Sequence, residues 1–146
     1  MYLIYYKSRN IMALTFHPKR GTILECDFHG FVQPEMLKRR TVVVLSPQIS
    51  DRPGLCTIVP LSLTEPKIIK PYHLEIFFNP SLPYPYESDS KWLKGDMVYA
   101  VSFSRLDLLC IGADANGKRI YDIRVLDNEV MSKVEDCVLN GLGIKR

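Results

Sequence analysis

The chain has 146 residues, a formal net charge of +3, 47% hydrophobic residues and 24% charged residues. This length fits one domain with one hydrophobic core, and this composition argues against a disordered, fibrous or repeat protein. The sequence contains no apolar stretch near the roughly 18 residues of a membrane span, and its first residues lack a signal-peptide pattern. We therefore expect a cytoplasmic protein, with a modest positive bias over residues 1–52, where eight Lys/Arg stand against four Asp/Glu.

Residues 1–11 are predicted to be an extension upstream of the working domain, because Met12 offers an equally natural start, and residues 12–146 then form a single domain. The spacing of the cysteines includes no CxxC pair, and no HxxxH pair occurs, which argues against a zinc site. We expect no cofactor. We expect reduced, free thiols at all four cysteines: Cys26, Cys56, Cys110 and Cys137.

Short apolar or alternating runs, separated by Pro and Gly, predict a β-rich fold. The first strand is predicted over Gly21–Phe28, and a loop over His29–Lys38 follows it. The β-branched run Thr41–Ser46 predicts a buried central strand. Turn chemistry separates this strand from the next one, which Pro60 is expected to end because proline cannot donate to a ladder. The further predicted strands cover Leu55–Leu61, Tyr72–Phe77, Asp96–Phe103, Leu106–Ile111 and Arg119–Val125, with an exposed loop over residues 78–90.

The end of the chain carries a hairpin signal and a helix signal. Asn116-Gly117 predicts a tight turn that joins the last two strands. Asp127 is a suitable N-cap for a helix that Gly141 ends. The apolar positions of this helix are Val130, Val134, Val138 and Leu139. Six or seven strands and one terminal helix predict a mainly β fold, either a small barrel or a strongly bent sheet, with the helix packed on one side.

A cluster of charge lies directly before the central strand, where Glu35 is followed by Lys38, Arg39 and Arg40. The end of a rigid strand can hold a side chain in place, and a guanidinium matches a phosphate group bidentately. Ser62 follows the next strand, so pairing of the two strands would bring Arg40 and Ser62 to one end of the sheet. The spacing therefore suggests a phosphate site.

Each of these residues also has a structural interpretation. Arg39 and Arg40 could be solvated or could pair with Glu35, and Ser62 could be a turn hydroxyl. A third candidate, Arg105, could form an ion pair with Asp107 at the end of a strand. These alternatives remain open on spacing alone.

The combined pattern resembles the PemK/MazF toxins of bacterial type II toxin–antitoxin systems. The match covers about residues 15–140, and the order and spacing of its blocks make it more specific than any block alone. The blocks are His17–Leu24 with Asp27-Phe28 beyond, Glu35–Ser46, Thr57–Ser62, and a weaker one from Lys94 to Leu106 followed by the terminal helix.

The resemblance implies an SH3-like barrel with a C-terminal helix, a homodimer, and a ribonuclease that cuts single-stranded RNA without metal and is neutralised by an antitoxin. It carries over Arg40 and Ser62 as catalytic residues, with Glu35 and His17 as neighbours. The family usually has Arg-Pro where this chain has Arg40-Thr41, which removes a rigid residue beside the arginine. It usually has Thr where this chain has Ser62, which keeps the hydroxyl.

The hypothesis for the reaction starts from the 2′-hydroxyl that RNA itself provides. Arg40 would stabilise the phosphorane, Ser62 would hold a non-bridging oxygen, and Glu35 or His17 would transfer protons. The expected RNA-binding residues are Lys38, Arg39, Phe31 and Arg105, with base selectivity arising from the loops at residues 29–38 and 64–70.

Two other functions compete with this hypothesis. One is a gyrase poison like CcdB, which the absence of a Trp-Gly-Ile ending argues against, since the only tryptophan is Trp92. The other is a non-catalytic SH3-like binding module, which the substituted motif positions Thr41 and Ser62 would favour.

Overall fold

The computed structural model describes residues 14–48, 51–86 and 88–146. The predicted extension 1–11 and the start at Met12 lie outside the described residues. The strands are β1 Ile23–Asp27, β2 Arg39–Val44, β3 Leu55–Ser62, β4 His73–Leu82, β5 Ser88–Lys94, β6 Tyr99–Ser102, β7 Leu106–Asp107, β8 Leu109–Ala113 and β9 Arg119–Asp122. A 3₁₀ turn covers Phe103–Arg105, and helix α1 spans Asn128–Leu142.

Seven of these strands form one antiparallel sheet in the order β4-β5-β3-β2-β1-β7, with β6 paired to β3 outside this path. Strands β8 and β9 form a separate hairpin. The long strand β3 pairs with β2 and β6 along its first part and with β5 at its end. A mostly β fold with one C-terminal helix was predicted, and this fold class is confirmed. Between the described strands, the sheet remains an open path rather than a closed barrel.

The two faces of the sheet pack into two hydrophobic cores, because side chains alternate along each strand. Residues that face each other across β1 and β2, such as Ile23 and Val43, point to the same side. The helix-side core packs against α1 and includes Ile23, Val43, Val59, Leu61, Leu93, Val134 and Val138. The loop-side core lies on the other face and includes Leu24, Cys26, Phe28, Val42, Ile58 and Leu106. Burial of these aliphatic side chains supplies the main driving force for the fold.

Two predictions about strand boundaries were wrong. Strand β3 was expected to end because of Pro60, but it continues through this residue to Ser62. Pro60 is the last position paired with β2, and pairing with β5 begins at Leu61, so the missing donor lies where the strand changes partners. The predicted exposed loop 78–90 is instead mostly β4 and β5, and its residues Phe78 and Leu82 are buried. Proline is tolerated within β4 because this strand forms the edge of the sheet.

The terminal helix begins as predicted and ends later than predicted. The Asp127 side chain accepts a hydrogen bond from the Val130 amide at 2.9 Å, which caps the helix. The helix passes through Gly141 and ends at Gly143, whose φ of 72° suits glycine. A β-carbon at Gly141 would lie 2.7 Å from the Gly95 carbonyl oxygen, so this glycine allows the close approach of the helix to the turn after β5.

The predicted C-terminal hairpin agrees with the structure in outline. The Asn-Gly hairpin joins β8 to β9, while the predicted strand 106–111 divides into β7 and the start of β8. All four cysteines are free, as expected. No helix within residues 14–48, 51–86 and 88–146 is long and apolar enough to cross a membrane.

Candidate active site

The register of β2 and β3 brings Arg40 and Ser62 to the same end of the sheet. The two strands are antiparallel, and Val42 pairs with Pro60. Arg40 lies two residues before this pair and Ser62 two residues after it, so both residues belong to the same end of adjacent strands. Arg40 is exposed, and the Ser62 hydroxyl accepts a hydrogen bond from the Thr64 amide at 3.1 Å. The geometric part of the prediction, that paired strands place these two residues together, agrees with this arrangement.

A pocket of about 280 Å³ opens at this end of the sheet, which we call the strand pocket. It contains three cationic side chains and one carboxylate, together with apolar groups. Its lining residues are Glu25, Arg39, Arg40, Thr41, Leu61, Leu63, Pro85, Tyr86 and Lys91. Glu25 and Thr41 are cross-strand partners, and they lie on the face of the helix-side core, next to the cross-strand pair Ile23 and Val43.

The Glu25 carboxylate connects several groups at this pocket. It lies 3.3 Å from Arg39 Nη1, and it accepts a hydrogen bond from the Tyr86 hydroxyl at 3.4 Å. Tyr86 in turn accepts a hydrogen bond from the Cys110 amide at 3.2 Å. Burial and the nearby Glu25 charge raise the pKa of Tyr86 to about 12, so this phenol stays protonated at neutral pH. Arg39 also approaches Asp27, with 3.9 Å between Arg39 Nη2 and Asp27 Oδ2.

Lys91 is a buried cation that also lines the strand pocket. Only 8% of this residue is exposed, and its ammonium donates a hydrogen bond of 2.9 Å to the Thr41 hydroxyl. Burial, and then the positive charge of Arg40, lower the pKa of Lys91, while Glu25 acts in the opposite direction. Lys91 is therefore in electrostatic contact with both Arg40 and Glu25.

A second pocket of about 590 Å³, the loop pocket, lies beside the loop between β1 and β2. Lys38, with a φ of 66°, is exposed there. The Phe31 ring lies 5.3 Å from Phe28 and 5.5 Å from Tyr99, so it anchors this loop. The loop pocket is lined by Asp27, Phe28, His29, Gly30, Phe31, Leu37, Lys38 and Arg39.

Arg105 holds the loop between β1 and β2 in place. Its Nη1 atom donates to the Asp27 carbonyl at 2.9 Å and to the His29 carbonyl at 2.7 Å. Its guanidinium carbon lies 4.8 Å from the centroid of the Phe31 ring. Of the four expected RNA-binding residues, Arg105 and Phe31 thus contact each other within the protein, Arg39 contacts two carboxylates, and Lys38 projects from the surface.

The two expected proton-transfer residues, Glu35 and His17, do not line the strand pocket, and their contacts lie elsewhere. The Glu35 carboxylate accepts a hydrogen bond from the Val32 amide at 2.9 Å, so it stabilises its own loop. His17 Nδ1 lies 2.8 Å from the Pro18 carbonyl oxygen, and its ring packs edge-on against Phe103 at 5.7 Å. The alternative pairing of Glu35 with Arg39 does not occur, since Arg39 pairs with Glu25 and Asp27 instead.

Sequence reasoning missed Glu25, Tyr86 and Lys91. Glu25 lies within a strand that reads as ordinary alternation, and Tyr86 lies in the Pro-rich stretch predicted to be an exposed loop. A signal did exist for Glu25, because it is a charged residue in the middle of a strand, between apolar Leu24 and Cys26. Lys91 gave no comparable signal, since its strand was not predicted.

Within the described part of the chain, no group of three or more His, Cys, Asp or Glu side chains is arranged to hold a metal ion. The sequence profile of the PemK-like, MazF-like toxins of type II toxin–antitoxin systems matches residues 19–141. The chain belongs to this family. The matched segment includes every residue of the strand pocket and both Arg40 and Ser62.

Two full-length relatives match the chain. The Escherichia coli (strain K12) protein YifN, described as uncharacterised, is 32% identical over 151 residues, covering 90% of this chain and 95% of the relative. An uncharacterised protein of Haemophilus influenzae is 29% identical over 149 residues, covering 90% and 94% respectively.

Solved structures share the fold of this PemK/MazF-family chain. MazF from Deinococcus radiodurans has a TM-score of 0.58 at 18% identity, covering 88% of this chain and 99% of that one. A mycobacterial endoribonuclease solved in complex with its cognate antitoxin has a TM-score of 0.56 at 16% identity, covering 89% and 99%. At these identities the similarity establishes the fold.

Proposed function

We propose that this protein is a toxin endoribonuclease that cuts single-stranded RNA without a metal ion and is neutralised by a cognate antitoxin. The observation that carries the proposal is the placement of Arg40 and Ser62 at one end of adjacent antiparallel strands, beside a pocket with an excess of positive charge. Membership of the PemK/MazF family supports the same reaction class.

The proposed reaction uses the 2′-hydroxyl of RNA as the nucleophile. A new bond forms between the 2′-oxygen and phosphorus, and the bond from phosphorus to the 5′-oxygen breaks. The proton of the 2′-hydroxyl leaves to a base, and the departing 5′-oxygen receives a proton from an acid. The products are a 2′,3′-cyclic phosphate end and a 5′-hydroxyl end.

Arg40 and Ser62 would act on the charge that develops at phosphorus. The planar guanidinium of Arg40 can donate two parallel hydrogen bonds to phosphorane oxygens. The Ser62 hydroxyl accepts from Thr64, which leaves its own hydrogen free to be donated to a non-bridging oxygen. Glu35 and His17 stay our candidates for proton transfer, on loops that would have to approach the bound RNA.

RNA would approach over the loop pocket and the strand pocket, which Arg39 lines in common. Exposed Lys38 would contact the RNA backbone, and the edge of Phe31 would contact a base. Arg105 would act by fixing the loop that carries them. The exposed Leu63, Ile68 and Ile69, which follow β3, give an apolar surface to which an antitoxin segment could bind. We also propose that the protein is a homodimer and acts in the cytoplasm.

The test is cleavage of mixed-sequence single-stranded RNA in excess EDTA by the full chain, with identification of the new ends. We expect cyclic-phosphate ends, and we expect Arg40→Ala to lower the rate by about 100- to 1,000-fold. Ser62→Ala should lower it less, because it removes a neutral hydrogen bond. Arg119→Ala, which removes an exposed arginine on β9, is the matched control and should cleave like the wild type.

The outcomes separate the competing functions. An all-deoxy strand of the same sequence should stay intact, because it lacks the nucleophile. Activity that survives in Arg40→Ala would move the phosphate contact to Arg39. Absence of cleavage on every RNA by the folded, antitoxin-free protein would refute the enzyme and leave a binding module or a gyrase poison.

A further inference from the structure

Lys91 is an unusual residue for the interior of a protein. Among the residues that the structure describes, Lys91 is the only buried residue with a charged side chain, and 8% of its surface is exposed. An ammonium carries three donors, and the contact found for it is the single hydrogen bond to Thr41. Burying a charge costs several kcal/mol unless a partner compensates it. Stability alone therefore gives no reason for a lysine at this position.

The strand pocket contains more positive than negative side chains. Glu25 is its carboxylate, and Glu25 already pairs with Arg39 and accepts the Tyr86 hydroxyl. Neither Arg40 nor Lys91 forms an ion pair with another described residue. Arg40 and Lys91 thus share a pocket whose one carboxylate is already paired with Arg39, and they lie close enough for each to oppose the charge of the other. An anion bound between Arg40 and Lys91 would offset both the burial of the Lys91 charge and the repulsion between the two cations.

The remaining walls suit such an anion. Buried Leu61 and the exposed Leu63 and Pro85 give the pocket apolar surface beside its charged groups, and electrostatic attraction is stronger next to apolar surface than in bulk water. The volume of about 280 Å³ lies just below the range of roughly 300–1,000 Å³ for sites of drug-sized ligands, so a phosphate group with part of its ribose is a suitable occupant.

We propose that Lys91 is a second phosphate-binding cation of the active site, which holds a phosphodiester oxygen together with Arg40. The inference rests on the proposed ribonuclease function for the identity of the phosphate as RNA. Thr41 orients the ammonium through the hydrogen bond, and Arg40 supplies the planar fork. A bound phosphate favours the charged form of the amine, so it offsets the lowering of the Lys91 pKa by burial.

The experiment uses two readouts on the full chain, one of which does not require catalysis. The first is the rise in Tm that inorganic phosphate produces, compared with chloride at matched ionic strength. The second is kcat and KM for single-stranded RNA. The variants are Lys91→Met, which replaces the charge with an apolar chain, and Lys91→Gln, which keeps a donor for Thr41. Lys94→Met, on the same strand, is the matched control.

We expect phosphate to raise the Tm of the wild type and of Lys94→Met, and to raise it much less in either Lys91 variant. Cleavage by both Lys91 variants should fall about 10- to 100-fold in kcat/KM, the usual effect of losing a charged hydrogen bond. Lys91 variants that keep both the phosphate-dependent rise in Tm and wild-type cleavage would overturn the proposal. If the wild type never cuts RNA while only the Lys91 variants lose the rise in Tm, the anion site stands and the ribonuclease function fails.

Discussion

Replacing Arg105 with glutamine should loosen the loop between β1 and β2 without unfolding the sheet. The guanidinium donates to two carbonyls of this loop and lies over the Phe31 ring. Each hydrogen bond from a charged donor contributes about 1.5 kcal/mol at the lower end of its range, and the ring contact about 0.5 kcal/mol at a partly exposed site. Glutamine can retain one of the two hydrogen bonds, so the local loss is about 2 kcal/mol.

Amide hydrogen exchange measures this loss where it occurs. A local loss of about 2 kcal/mol corresponds to roughly 30-fold faster exchange. The informative amides are those of Phe31, which donates to the Phe28 carbonyl, and Met36, which donates to the Tyr99 hydroxyl. Amides within α1 should exchange at wild-type rates, because the helix lies on the other face of the sheet.

A matched variant, Arg119→Gln, removes an exposed arginine of β9 and should leave the loop amides unchanged. If exchange at Phe31 and Met36 in Arg105→Gln also stays at the wild-type rate, the anchoring role is refuted. A fall in RNA cleavage without faster exchange would then return Arg105 to direct contact with RNA.

Two further predictions concern stability. Burial raises the pKa of the Cys26 thiol from 9.0 to about 12, so the folded state favours the protonated thiol. The contribution of this thiol to the free energy of unfolding is therefore present below pH 9 and is lost as the pH rises toward 12. Urea unfolding under reducing conditions should therefore show about 1.4 kcal/mol more loss between pH 8 and pH 10 for the wild type than for Cys26→Ala, and equal losses would contradict this. Gly95→Ala should lower the free energy of unfolding by about 1–3 kcal/mol, because the new β-carbon would lie 2.7 Å from the Tyr72 carbonyl oxygen and 2.8 Å from the Cys137 backbone; an unchanged unfolding midpoint would show that the helix can move away.

Local patterns were sufficient for the elements whose signals are local. Alternation located β1, β-branched residues located β2, and Asp127 located the start of the helix. The role of Gly141 depends instead on its close approach to Gly95, which is far away in the sequence, and the helix ends only at Gly143. No short pattern distinguishes a glycine that ends a helix from one that allows a helix to pack closely.

The candidate site likewise contains residues that local patterns could place and residues that they could not. Arg40 and Ser62 could be expected together because pairing of consecutive strands is common and their order fits the family. Glu25 and Lys91 meet only when β1, β2, β3 and β5 assemble in the observed order, which crosses from β5 to β3. The partner of Arg39 was also beyond local reasoning, since Glu25 lies across the strand pair while Glu35 lies nearby in sequence.

The three partners of β3 have a consequence for how such a protein can change. Because β3 is paired with β2, β6 and β5, an inserted residue within it would reverse the facing of every later side chain, including Ser62. The connecting loops carry no such constraint, and their lengthening costs little free energy. Descendants of this chain can therefore gain or lose loop residues around the two pockets while Arg40 and Ser62 keep their places at one end of the sheet.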